Sequence, residues 1–274
     1  MNLENIVNVI EESTKKEENF SRRDAFKKAG STGLKVALAA IPIGLAATLT
    51  KNAYAKSDPT IVDVLNFALT LEYLESKFYS NGLLASGLIP SEDRTVFTQI
   101  ANHEGAHVTT LINTINSLSG TPVTQPTFDF TGGNGSGTGP YADVFTNYNT
   151  FLALSQAFED TGVRAYKGQA GALKSNAAVL TAALSIHSVE ARHASEVRKI
   201  RSQTGAGVSG LKSWISFADA GALPTAIYDG EGNEVQLGIN VTSTTGQASI
   251  SVTEAFDEPL TMAQVLAIAD PFIV

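Results

Sequence analysis

Six residues with the chemistry of metal ligands recur in this chain at matching intervals. They are two single glutamates and two Glu-x-x-His pairs, which lie along the chain in the order Glu72, Glu104 with His107, Glu159, and Glu190 with His193. Residues three apart share one face of a helix, so each pair can direct a carboxylate oxygen and an imidazole nitrogen to the same side. The set predicts a site for two metal ions.

The arrangement matches the ligand set of a two-metal site in a four-helix bundle. There, two helices give one Glu each and the other two give a Glu-x-x-His each. Glu72 precedes Glu104 by 32 residues and Glu159 precedes Glu190 by 31, so we predict two helical hairpins that carry the same half-site. The alternative is four amphipathic helices whose charged residues are solvated and hold no metal.

Charge balance explains why these residue types suit metal ions. Four carboxylates carry −4 and two divalent ions +4, so a buried site with neutral imidazoles avoids the large cost of isolated charge. Oxygen ligands with one imidazole per ion suit iron and manganese alike. Both metals change oxidation state, so the set favours redox chemistry with oxygen species. We therefore expect two iron or two manganese ions as the cofactor.

Two tyrosines follow the single glutamates at equal spacing. Tyr79 stands seven residues after Glu72, and Tyr166 stands seven residues after Glu159. Seven residues make about two helical turns, so each tyrosine shares the face of its glutamate. Three interpretations stay open for both tyrosines, namely a hydrogen bond to a ligand, electron transfer and ordinary bundle packing.

Three further residues lie beside the predicted ligands. His187 is about one turn before Glu190, where either contact with a ligand or a core position would suit it. His103 is one residue, or about 100°, away from the ligand face of its helix. Glu75 competes with Glu72 for the first ligand position, and we assign Glu72 because of its spacing to the tyrosine.

Four helical segments must position these residues. The first is predicted from Ile61 to Tyr79, with Asp58-Pro59 at its start and Asn81-Gly82 after its end. The others are predicted from about residue 91 to 119, from 141 to 167 and from 175 to 201. The glycine-rich stretch 120–140 has the length that a crossover between two hairpins requires.

These residues and motifs resemble the ferritin-like superfamily over roughly residues 60–202. Leu71-Glu72-Tyr73-Leu74-Glu75 with Tyr79, and Glu190-Ala191-Arg192-His193, are similar to its metal-binding helices. The likeness is strongest to the exported ferritin-like domain family that includes desiccation-related proteins. It implies an all-α, ferritin-like four-helix bundle with one long crossover loop. It also implies a dinuclear iron or manganese centre with the six residues above as ligands.

Residues 1–55 have the pattern of a targeting segment. Arg22-Arg23 precedes an apolar run from Val36 to Leu49, and Ala53-Tyr54-Ala55 suits a signal peptidase. The pattern resembles a twin-arginine export signal, with one extra residue between the arginine pair and Phe26. It predicts the twin-arginine export machinery as a partner and a periplasmic or other extracytoplasmic location. An uncleaved anchor is the alternative, although a run of about 14 residues is short for a span of ~20.

The predicted domains are the signal segment 1–55, the bundle 56–205 and a C-terminal extension 206–274 packed on the bundle. In the extension, alternating apolar residues at 239, 241, 250 and 252 predict strands, and 258–269 predicts a short helix. Residues 229–233 have the composition of a turn, and the spacing of their oxygen ligands would also suit calcium.

Composition narrows the function. The net charge is −8 for all 274 residues and becomes −10 after residue 55, which disfavours nucleic acid as a partner. The absence of cysteine excludes cysteine-bound zinc and iron–sulfur centres.

We expect an exported dimetal oxidoreductase acting on hydrogen peroxide, or on ferrous iron and oxygen. The alternative is a non-catalytic stress or desiccation-related protein with a structural or sequestering metal site. A homo-oligomer is compatible with either function.

Overall fold

Four long helices form the bundle that the sequence predicted. The computed structural model describes residues 59–204, 208, 210–217 and 223–274, so the predicted export segment 1–55 lies outside the described residues. Within the described ranges, no helix has both the length and the apolar character that a membrane span needs. The long helices are α1 (Ile61–Leu84), α2 (Arg94–Ser117), α3 (Tyr148–Gln169) and α4 (Ala177–Gln203).

A capping box sets the start of α1. The Asp63 amide donates to Thr60 Oγ1 at 3.1 Å, and the Thr60 amide donates to Asp63 Oδ2 at 3.0 Å. These bonds satisfy two amides that the first helical turn leaves without partners. Thr60 is therefore the cap. The predicted first residue of the helix, Ile61, is confirmed, whereas the prediction that Asp58-Pro59 caps it is wrong.

The end of α1 also differs from the prediction. Asn81-Gly82 was expected to terminate the helix, but the helix continues to Leu84. A Cβ on Gly82 would lie only 2.4 Å from Cε2 of Phe151 on α3. The glycine therefore serves the close approach of two helices and does not stop α1.

The helices of the second hairpin begin at asparagine caps. The side chain of Asn147 accepts a hydrogen bond from the Asn149 amide at 3.0 Å, and that of Asn176 accepts one from Val179 at 3.2 Å. Helix α3 thus starts at Tyr148, seven residues after the predicted start at Tyr141, because residues 141–146 form turns that end at the Asn147 cap.

The helices pair as two hairpins. Helix α1 packs mainly on α2, and α3 packs mainly on α4, while α1 also meets α3 and α2 meets α4. The 118–147 segment connects the hairpins without a long helix of its own. This is the predicted bundle with one long crossover.

The core is arranged in layers along the bundle. Each long helix contributes residues to two apolar clusters. In α1, residues within 64–71 belong to one cluster and residues within 74–79 to the other. Likewise, residues within 179–186 of α4 belong to the first cluster and 197–200 to the second. The predicted metal ligands fall at the junction of the clusters on all four helices. A polar layer therefore lies between two apolar ones.

Part of the C-terminal region is bound to α3. The Arg164 guanidinium of α3 donates to the carbonyl oxygens of Ile227, Asp229 and Glu258. Its Nε also lies 2.8 Å from Glu231 Oε1, and both side chains are buried. The predicted closing helix is present as α7 (Met262–Ala269), which packs on α3. One buried guanidinium thus joins two separate stretches of the C-terminal region to the bundle.

Residues 233–255 form a separate small unit. Strands β1 (Val235–Gln236) and β2 (Ile239–Asn240) pair in antiparallel fashion. The prediction of strands at 241, 250 and 252 is wrong, because these residues lie in two short helices, α5 (Val241–Thr245) and α6 (Ser249–Thr253). The Asn240 side chain accepts from the Ser243 amide at 2.7 Å, so it caps α5 where the alternation suggested a continuing strand. The three-domain division itself stays a prediction.

Candidate metal centre

The six predicted ligands meet in the polar layer. The four glutamates are each 0% exposed, while the two histidines are 6% and 4% exposed. So many ionisable groups are seldom fully buried unless they are paired or bind a metal. The residues are Glu72 on α1, Glu104 and His107 on α2, Glu159 on α3, and Glu190 and His193 on α4.

Three carboxylates surround one nitrogen of His107. Its Nδ1 lies 3.1 Å from Glu72 Oε2, 3.1 Å from Glu104 Oε2 and 3.0 Å from Glu190 Oε1. A single N–H cannot be directed at three oxygens at once. By contrast, atoms bound at 2.0–2.2 Å to one ion, at right angles, lie about 3 Å apart. The three distances are of this size, and one ligand atom from each of the four residues lies within 4.8 Å of the others, so this group could hold one cation.

A second group forms around His193. Its Nδ1 lies 2.8 Å from Glu104 Oε1 and 3.4 Å from Glu159 Oε2. One ligand atom from each of these three residues and from Glu190 lies within 4.8 Å of the others. Glu104 and Glu190 therefore belong to both groups, whereas Glu72 with His107 and Glu159 with His193 each belong to one.

Unpaired polar atoms show that the residues fit metal ions. Among the described residues, five buried atoms of this cluster have no hydrogen-bond partner: Glu104 Oε1, Glu159 Oε2, Glu190 Oε1 and Oε2, and His193 Nδ1. Buried polar atoms without partners destabilise a fold by about 1–3 kcal/mol each. All five are electron-pair donors that point into one layer, so cations would satisfy them together.

Each tyrosine contacts the glutamate of the opposite hairpin. Tyr79 donates its hydroxyl hydrogen bond to Glu159 Oε1 at 2.5 Å, and Tyr166 donates to Glu72 Oε1. Burial is the larger cause, and the negative charge of the neighbouring glutamate the next, of a pKa well above the usual value for both hydroxyls. Both hydroxyls therefore remain hydrogen-bond donors. The expected contact with a ligand is therefore present, but it crosses between α1 and α3.

His103 contacts the predicted ligand His193, and sequence spacing did not indicate this contact. Its Nδ1 lies 2.8 Å from His193 Nε2, the two rings are stacked at 5.1 Å, and Gln99 Nε2 lies 3.0 Å from His103 Nε2. If Nδ1 of His193 binds metal, its Nε2 carries the hydrogen and donates it to His103. The contact depends on how α2 packs on α4, for which the sequence gives no signal.

His187 has no described contact with the centre. Burial lowers the pKa of its ring, and the groups that modify this effect are Asp257, the backbone of Val163 and Lys167. None of these belongs to the polar layer. His187 is half-buried, and both the contact with a ligand and the core position remain predictions.

The family of the chain follows from the same four helices. The sequence pattern described as "Ferritin-like domain" matches residues 60–203, from the cap of α1 to the end of α4. This match covers more than half of the chain. The chain belongs to the ferritin-like domain family. No curated protein matches the sequence, and the narrower likeness to desiccation-related members stays a prediction.

Burial and mutual repulsion govern protonation in the ferritin-like domain. Burial raises the pKa of Glu72 to about 8, and burial together with Glu104 and Glu72 raises that of Glu190 well above its usual value. Burial alone would lower the pKa of His107, but the surrounding carboxylates outweigh it and raise the value to about 12. Protons thus supply the positive charge that this set of carboxylates needs.

The ferritin-like domain buries a fifth carboxylate that the ligand assignment left out. Glu75, treated above as a competitor of Glu72, is 4% exposed and lies in the same layer. Its pKa is raised well above the usual value by burial and then by Glu190, Glu104 and Glu159. The structure therefore brings both Glu72 and Glu75 to the centre, although the sequence interpretation chose only one.

Proposed function

We propose that this ferritin-like domain holds two iron or two manganese ions and works as an exported oxidoreductase on hydrogen peroxide, or on ferrous iron and oxygen. The observation that carries the proposal is that Glu104 and Glu190 belong to both ligand groups. Shared carboxylates would keep two ions close together. A pair of ions supplies two electrons at one place, which suits peroxide and oxygen as partners.

Residues around the ligands support this use. Tyr79 and Tyr166 fix the orientation of Glu159 and Glu72 through hydrogen bonds. His103 does the same for His193, since a partner on the second ring nitrogen sets which nitrogen faces the metal. The apolar clusters on both sides exclude water and strengthen electrostatic interactions within the layer. Three of the six ligands, Glu72, Glu159 and His193, are thus oriented before an ion binds.

Export is supported by the sequence of residues 21–55. Twin-arginine transport moves folded proteins, so metal could be inserted before export, and the transport machinery would be a partner. Outside the cytoplasm NAD(P)H is absent, which favours self-contained reactions such as peroxide dismutation or ferrous oxidation. We therefore place the protein in the periplasm or another extracytoplasmic location, free if the segment is cleaved and anchored if it is not.

A second function is favoured by the depth of the centre. All four glutamates are 0% exposed, so a substrate has no direct route to them in this conformation. A buried ion pair that only stabilises the bundle or sequesters metal needs no such route. Under this alternative the protein binds two ions, is stabilised by them and performs no reaction.

Metal content tests the proposal first. The full chain, purified without added metal, is compared by elemental mass spectrometry with a Glu104→Ala/Glu190→Ala variant that lacks both shared carboxylates. About two iron or manganese ions in the first protein and none in the second is the expected result. Loaded protein should then consume hydrogen peroxide or accelerate ferrous oxidation. Two ions without either activity would favour the second function, and no metal after anaerobic reconstitution would overturn both.

A further inference from the structure

We infer that Glu75 is a fifth carboxylate of the metal centre, and that its charge raises the preference of the centre for metal ions of higher total charge. The inference rests on the proposed metal pair and concerns which oxidation states that pair favours. It adds a residue outside the six-ligand set predicted from spacing.

The position of Glu75 is that of a group directed at the layer. It lies one turn after Glu72 on α1 and is only 4% exposed. Its Oε1 reaches the same space beside Gly162 as Oε2 of Glu190, and the side chains that act on it are glutamates of the layer. Carboxylates this close to one another repel unless a cation lies near them.

Comparison of the two hairpins shows that only one of them has a carboxylate at this position. A shift of 87 residues relates Glu72 to Glu159 and Tyr79 to Tyr166. The same shift relates Glu75 to Gly162, so the second hairpin lacks a side chain where the first has a carboxylate. The centre thus has one extra acid on one hairpin only.

The glycine makes room for the extra acid. A Cβ on Gly162 would lie 3.4 Å from Glu75 Oε1 and 3.2 Å from Glu190 Oε2. The second distance is tighter than normal packing, and the first is at its limit. Glycine inside a helix is less favourable than alanine, so its presence here calls for a structural reason. The space beside Gly162 therefore lets Glu75 and Glu190, one of the shared carboxylates, occupy the same region.

Charge gives the consequence of this arrangement. With neutral imidazoles, the six-ligand set balances two divalent ions at +4. Bound cations favour the ionised form of Glu75, and five carboxylates then carry −5. An unbalanced buried charge is costly, so the fifth carboxylate stabilises a metal pair whose total charge exceeds +4. Glu75 should accordingly favour the trivalent over the divalent state of a bound ion.

The midpoint potential of the iron-loaded protein tests this directly. The test variant is Glu75→Gln, which keeps size but removes charge; the control is Glu92→Gln, which makes the same change at an exposed residue. Zinc titration first establishes that each protein binds two divalent ions. We expect Glu75→Gln to lower the preference for trivalent iron at least tenfold, a positive shift of about 59 mV per one-electron step.

The outcomes separate this inference from the proposed function. Two zinc ions in all three proteins with equal potentials would overturn the role of Glu75 and leave the metal pair intact. No zinc in the unmodified protein would overturn the proposed function and the inference with it. If Glu75→Gln does not fold, Glu75→Ala takes its place with the same expected shift, and an unshifted potential counts against the inference.

A charge swap gives a second test. In Glu75→Gly/Gly162→Glu the extra carboxylate moves to the equivalent position of the other hairpin, and the total charge is restored. The potential should return toward that of the unmodified protein. A swap that binds two zinc ions but keeps the raised potential of Glu75→Gln would overturn the inference, because charge would then not be the cause.

Discussion

Tyr79 donates a hydrogen bond across the bundle to Glu159, and Tyr166 returns the equivalent bond to Glu72. Each hairpin therefore orients a carboxylate of the other. Because the two bonds are related by the internal repeat, they are expected to contribute similarly to metal binding.

Replacement of either tyrosine by phenylalanine tests this exchange. Tyr79→Phe and Tyr166→Phe should each weaken cobalt or zinc binding about 10–100-fold, because a ligand carboxylate loses the partner that orients it. Tyr73→Phe on α1 is the matched control, since it is only partly buried. Competition titration against a chelator measures the affinities. Equal affinity in all four proteins would show that the tyrosines only pack.

His103 offers a comparison between two histidines that flank the ligands. His103→Ala should lower metal affinity about 10–100-fold, because His193 loses the partner on its Nε2. His187→Ala should leave affinity unchanged, since its described neighbours lie outside the layer. The same competition titration decides the matter. A loss of similar size in both variants would point to general loosening of the bundle.

Metal affinity should rise steeply with pH. The pKa of Glu72 is raised to about 8, those of His107 and His193 to about 12 and 11, and that of Glu190 well above its usual value. Glu72, His107 and His193 therefore hold protons near pH 7 in the metal-free protein, and ions must displace them. The logarithm of the overall affinity should increase by at least about three per pH unit below pH 7. Zinc titrations at several pH values, or proton release in weak buffer, measure the slope, and a slope near zero would contradict the assignment.

The stability of the metal-free protein should fall as the pH rises, whereas the metal affinity should increase. Groups whose pKa is raised by folding stabilise the fold below their unfolded pKa and lose this contribution as the pH rises toward the folded value. For Glu72 that window runs from 4.5 to about 8, and for His107 from 6.5 to about 12. Glu104, whose pKa is lowered to about 2, stabilises the fold fully above pH 4.5 and loses this contribution only as the pH falls below that value. The melting temperature without metal should therefore fall from pH 6 to pH 9.

Arg164 should be essential for attaching the C-terminal region. Arg164→Met removes the donors to Ile227, Asp229 and Glu258 and leaves buried Glu231 without its cation. Loss of one partner of a buried pair typically destabilises by about 3–5 kcal/mol. Urea unfolding measures the change. The double variant Arg164→Met/Glu231→Gln should recover part of the loss, and equal losses in both would show that the ion pair contributes nothing.

The sequence predicted the helices and the ligand layer because both depend on local periodicity. The Glu-x-x-His spacing places two ligands on one helix face whatever the rest of the chain does. The equal intervals within the hairpins then indicated that all six residues would meet. This part of the fold required only the pairing of neighbouring helices.

Features that depend on contacts between hairpins were not predicted. Gly82 has the composition of a helix end, and only the approach of Phe151 explains why the helix continues. Similarly, Glu75 and Glu72 lie on one face, and spacing alone suggested a choice between them. Their joint burial depends on the space at Gly162, which lies on another helix. The stacking of His103 on His193 likewise depends on helix packing.

The division of ligands between hairpins makes the centre a crosslink. The His107 group takes Glu72, Glu104 and His107 from the first hairpin but Glu190 from the second, while the His193 group takes Glu104 from the first. Neither hairpin holds a complete ligand group alone. Bound ions would therefore join α1 and α2 to α3 and α4 independently of the covalent chain. The two halves of a protein cut within the 118–147 crossover should accordingly resist separation by urea better while loaded than after chelation.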